Sequence, residues 1–197
     1  MFKRTKGYFL LTMLVLTGLA GRLHSDTLTA RERHYLATEL KTSKTEFLQS
    51  VEGLSKKQLN FKPRKSKLSI KDCVYQLVAT EDNLWTAAKI SLQQEDQLQQ
   101  KTIADDKTLS SVVQQQLPVC SKEESFKNID EALKFYKSQR TQMLRYVQTS
   151  TENVRTHIAK TAAGNFDAYQ LILLNTLYSR YYVQQIDEIK SNLKFPK

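Results

Sequence analysis

DAYQLILLNTLYSRYYVQQIDEIKSNLKFPK, running from Asp167 to Lys197, is the stretch that decides the fold. It opens on an aspartate, whose carboxylate can accept hydrogen bonds from the unpaired N–H groups of a first helical turn. Leu171–Leu174 is then apolar on every side. A helix of that kind is surrounded by others rather than laid on a surface, so the segment predicts the central helix of an all-α bundle.

Working back towards the N-terminus, Gly164-Asn165 is a turn signal that separates this helix from a third one. The third helix starts at Asn128–Glu131 and lines up Ile129, Leu133, Tyr136, Arg140, Met143, Leu144 and Val147 on one face. The second helix is capped by Ser69-Ile70-Lys71-Asp72, with Asp72 favourable near the positive helix end. Its apolar face is Ile70, Cys73, Val74, Leu77, Val78, Leu84, Trp85 and Ala88. For the first, Thr29-Ala30-Arg31-Glu32 has the form of a capping box, in which side chain and backbone satisfy each other's donors. Leu36, Leu40, Ser43, Phe47, Val51 and Leu54 follow at steps of three and four, and Gly53 marks a stop. Ser55 to Gln58 forms a short extra turn before a loop through Pro63.

Residues 93–125 are rich in glutamine and interrupted by Pro118. They read as a long crossover between the second and third helices, with a loose helix at Thr108–Leu117, or as a partner-binding insert. No internal repeat of helical-hairpin length is present.

One domain suits a chain of 197 residues, and 5 Gly with 3 Pro leave little material for the hairpins of an all-β design. Lys3, Arg4 and Lys6 precede a short apolar run, Tyr8–Ala20. That pattern is a secretory signal. Gly18 and Ala20 offer a cleavage site after Ala20, and a cut after Ser25 is the alternative, so residues 1–25 read as a leader and 26–197 as the domain. An uncleaved anchor facing the periplasm is the other reading, although the run is short for a membrane span. Removing the three leading cations lowers the formal charge from +10 to about +7. Lys62, Arg64, Lys65 and Lys67 are the densest basic patch and read as a solvated loop, with no nucleic-acid recognition motif beside them. Cys73 and Cys120 could pair in an oxidising compartment, whereas the place of Cys73 on an apolar stripe suits a buried free thiol.

Several motifs together resemble the DinB-like (YfiT-like) four-helix-bundle superfamily. They are the link Gly53-Leu54-Ser55 to Leu59-x-Phe61-x-Pro63, Ser69-Ile70 with Leu77-x-x-x-Glu81, Asp167-Ala168-Tyr169-Gln170, and Gln185-Ile186-Asp187-Glu188-Ile189-Lys190 with the Phe195-Pro196 tail. The resemblance spans about residues 29–197 and implies a four-helix bundle with a long crossover between its second and third helices.

In that superfamily one histidine of the second helix and two of the fourth, four residues apart, converge on a divalent metal such as nickel, zinc or iron. Histidines at i and i+4 can do so because they sit one turn apart on the same face. The matching positions here are Gln76, Tyr178 and Tyr182. A neutral amide is a poor transition-metal ligand, and a phenol must first lose a proton. The resemblance therefore implies a scaffold whose metal site is lost, with no cofactor expected and no catalytic residue assigned. Its former pocket would be lined by Gln76, Glu81, Tyr178 and Tyr182. None of His24, His34 and His157 falls at a ligand position, and no phosphate loop, nucleophile elbow or zinc-binding helix motif is present.

The function this points to is an exported, non-catalytic bundle that binds a small molecule or a partner. The alternative is a metal-dependent, thiol-using transferase-like enzyme with an altered centre. A homodimer is easily formed by long apolar helix faces.

Overall fold

The computed structural model describes residues 27–63, 68–95, 108–115, 126–161 and 164–197. Residues 1–25, expected to be a leader, lie outside them, as do Arg64, Lys65, Lys67 and Cys120. Among the described residues, six helices and two strands follow in order: α1 Ala30–Val51, α2 Lys56–Leu59, α3 Ile70–Ser91, α4 Leu109–Gln115, α5 Ile129–Thr149, β1 Ile158–Thr161, β2 Gly164–Asp167 and α6 Ala168–Lys190.

The helix starts follow from local chemistry. Thr29, Ser55, Ser69 and Asp167 each close a capping box with Glu32, Gln58, Asp72 and Gln170, and Asn128 caps α5 through the Glu131 amide. Each box satisfies donors that the first helical turn leaves free. Past the end of α1, Gly53 takes φ +70°, a left-handed value that a glycine adopts without a Cβ clash.

The cross-helix contacts fix the direction of each helix. Arg180 meets Glu39 at 2.5 Å, and Lys190 donates to the Ser50 carbonyl, so α1 and α6 run parallel. Tyr182 meets Gln76 and Ser179 meets Glu81, which sets α3 and α6 antiparallel. Gln139 meets Asp82 and Tyr146 meets Trp85, so α3 and α5 run parallel. Arg33 caps the Val147 and Ser150 carbonyls while Arg140 reaches Ser43, which makes α1 and α5 antiparallel. Because α3 and α5 point the same way, the chain between them must return the length of α3, about 33 Å for its 22 residues. That is the crossover expected from the sequence, and α4 packs against α6 within it.

The core is continuous through all four long helices, from Leu36, Leu40 and Phe47 on α1 to Leu171, Ile172 and Tyr182 on α6. One element was not expected. Strands β1 and β2 pair antiparallel, with Ile158 opposite Asp167 and Thr161 opposite Gly164. Four-residue strands are too short to show a clear period of two. Asp167 thus ends β2 and caps α6 at once.

At this end Arg155 joins three elements. It bonds to Glu32 at 2.6 Å and to Asp167 at 3.1 Å, and its guanidinium stacks 3.8 Å from the centre of the Tyr169 ring. Burial raises the Glu32 pKa, but the hydrogen bonds from Arg155 and Thr29 outweigh it and hold the carboxyl below its ordinary 4.5. A depressed carboxyl contributes stability above the unfolded value, and that stability is lost as the pH falls through the folded value. Melting temperature should therefore drop on acidification below 4.5, and Glu32→Gln should flatten part of that fall. Parallel curves for the two proteins would count against the Arg155 anchor.

Candidate functional site

Two levels of polar side chains interrupt the apolar interior, one turn apart along α3 and α6. At the first, Gln76 on α3 faces Tyr182 on α6. The Tyr182 hydroxyl donates to Gln76 Oε1 at 3.2 Å, with Tyr182 fully buried and the glutamine partly exposed. Tyr178 lies one turn earlier on the same helix face and is only 5 % exposed. Cys73, Tyr178 and Tyr181 lie close enough to act on the Tyr182 phenol. Burial pushes the Tyr178 and Tyr182 phenols above their ordinary value. Burial, followed by the nearby Asp72 charge, lifts the free Cys73 thiol to about 12.

At the second level Glu81 is fully buried, and its carboxylate is already committed. Arg140 from α5 grips both oxygens, Nε donating to Oε2 at 2.9 Å and Nη2 to Oε1. Ser179 adds a hydrogen bond to Oε1 at 2.8 Å. The same guanidinium donates to Ser43 on α1 at 3.2 Å, and on α6 to the Asn175 carbonyl at 2.9 Å and to Ser179 at 2.5 Å. Tyr136 completes the cluster 3.3 Å from Ser179, its phenol raised by burial. Burial pulls the Arg140 pKa down, but the Glu81 charge more than offsets this and keeps the guanidinium protonated.

Of the four residues singled out from the sequence, Gln76 and Tyr182 thus meet at one level, Tyr178 lies one turn earlier on the Tyr182 face, and Glu81 belongs to the next level. Arg140 stood on the apolar face of its helix in the sequence without an assigned role. A charge among apolar neighbours at helical spacing was the available signal for a buried role, though not for its partner. His34 is exposed on α1 and His157 is half-buried before β1, both away from this level.

Two concavities open elsewhere on the surface. One, of about 390 Å³, lies between Ala87, Ile90 and Ser91 on α3 and Ile158–Lys160 on β1. The other, of about 470 Å³, lies between the end of α1, including Leu48 and Val51, and Ile129 and Leu133 at the start of α5. Neither is lined by Gln76, Glu81, Tyr178 or Tyr182.

The fold and this interior define a class: a four-helix bundle with two parallel neighbour pairs and polar positions buried between α3 and α6. The family model of the DinB superfamily matches residues 39–180, and the chain belongs to that superfamily. No curated protein and no solved structure matches the chain.

A divalent metal at Gln76, Tyr178 and Tyr182 would meet one neutral amide and two phenols that burial makes harder to ionise. The adjacent Cys73 thiol is protonated at neutral pH. Metal ligation needs the deprotonated form of phenol and thiol, so this donor set does not fit the group. The amide and the Tyr182 phenol hydrogen-bond each other. Tyr182→Phe should cost about 0.5–1.5 kcal/mol of stability, the usual net value of one hydrogen bond. Urea unfolding followed by helical circular dichroism measures this, and an unchanged midpoint would count against the bond.

Proposed function

We propose that this chain is an exported DinB-superfamily bundle in which a hydrogen-bonded amide and phenol stand where the family's metal would sit. It acts as a non-catalytic domain that binds a small molecule or a protein partner. The observation that carries this reading is the Tyr182–Gln76 hydrogen bond, with both groups at expected ligand positions and facing each other. Neither group offers a charge or a lone pair of the kind a transition metal selects at neutral pH. Export is supported by the basic start and short apolar run of residues 3–20, and the destination is the periplasm. No helix among the described residues is long and apolar enough to cross a membrane. An uncleaved leader would make the protein an anchored one facing the same compartment.

The second reading, a thiol-using metal enzyme with an altered centre, draws on Cys73 beside Tyr182. It needs the phenols or the thiol to ionise against the direction in which burial pushes them.

Thermal unfolding with excess nickel, zinc or ferrous ion separates the two. A ligand at 100 times its dissociation constant stabilises the folded state by about 2.7 kcal/mol, so a bound metal would raise the melting temperature visibly. No rise is expected. A saturable rise that disappears in Tyr182→Phe would favour the altered enzyme. N-terminal sequencing of secreted protein tests export: a new terminus at Gly21 or Asp26 is expected, and Met1 retained in a membrane fraction would favour the anchor.

A further inference from the structure

We propose that Arg140 is the register key of the bundle, the group that selects this helix arrangement over others of similar apolar burial. One guanidinium on α5 bonds to Ser43 on α1, Glu81 on α3, and Asn175 and Ser179 on α6. All four long helices are therefore pinned at a single level. Their apolar faces cannot do this alone. Apolar side chains recur every three or four positions, so sliding a helix by one turn, about 5.4 Å, sets apolar against apolar again. The parallel pairs add a second ambiguity, because a long crossover permits more than one order of helices around the core.

A buried ion pair resolves both. Compared with an apolar pair of the same size it adds little to stability, yet any slip that parts Glu81 from Arg140 strands two charges in the core. The polar groups around it fit this role. Ser43 and Ser179 are small residues at fully buried positions, and each offers a hydroxyl at the height of the guanidinium. The planar fork of arginine aims five donors in fixed directions, whereas the three donors of lysine radiate from a single nitrogen with less reach. The inference does not depend on whether a metal binds at the Gln76 level.

The full chain carrying Glu81→Leu with Arg140→Met tests it. This variant strands no side-chain partner: Ser43 keeps its bond to the Glu39 carbonyl at 2.7 Å, and Ser179 keeps Tyr136 at 3.3 Å. Helical circular dichroism should be preserved. Nitrogen–proton spectra should show doubled or broadened signals on all four long helices, with amide exchange at the helix centres faster by about tenfold or more. One sharp set of signals with native protection would overturn the proposal. Should the double variant fail to fold, Arg140→Lys decides. Its charge still pairs with Glu81, but broadening confined to α1 and α6 is expected, and a native spectrum on both helices would overturn the register role.

Discussion

Arg140→Met is expected to destabilise the protein by about 3–5 kcal/mol, the cost of leaving the partner of a buried pair uncompensated. Glu81 and Arg140 side chains are each 1 % exposed, so water does not replace the lost guanidinium. Against a typical domain stability of about 5–15 kcal/mol this is a large fraction. The effect should depend on pH in a defined sense. Without its cation, the Glu81 carboxyl is left with the burial that pushes its pKa up. A carboxyl whose folded value is raised contributes stability below the unfolded value and loses it as the pH climbs through the folded value. The deficit of the variant should therefore be smaller near pH 4 than near pH 7, around the ordinary glutamate value of about 4.3. Urea unfolding at the two pH values measures it. A deficit under about 1 kcal/mol at neutral pH would mean that the pair is solvated or unformed.

Phe47→Ala is the second large effect, expected at about 3–5 kcal/mol. Phe47 is fully buried on α1 and meets the Tyr136 ring edge-on, with centroids 4.9 Å apart and planes at 61°. Truncation removes the transfer energy of the ring and leaves a cavity between α1 and α5, directly beside the arginine cluster. Phe47→Leu fills most of that space and should cost under about 1.5 kcal/mol. A loss as small in the alanine variant as in the leucine one would show that α5 closes onto α1, and that the polar level does not hold the helices apart.

Much of the fold was legible because local and global signals agree. Thr29 with Glu32, Ser69 with Asp72 and Asp167 ahead of Gln170 all cap where their chemistry says they should. Spacing on α1 and α3 then assigned their buried faces, and α4 falls inside the loose helix expected at Thr108–Leu117. The pairing of β1 with β2 was not legible, since it is held by backbone bonds and by the seat of Phe166 in the core. The site divides in the same way. Residues matched to the family motif, Gln76 and Tyr182, do face each other, because the motif encodes a helix–helix register. Arg140 could not be matched to Glu81 from one sequence. Their separation of 59 residues is closed only by the packing of α5 against α3.

Elemental analysis of the purified protein after exposure to nickel, zinc and iron salts measures the central claim most directly. Less than about a tenth of an equivalent of any metal is expected from an amide and two protonated phenols. Close to one equivalent, lost in Tyr182→Phe, would contradict it and favour the reading of an enzyme with an altered metal centre.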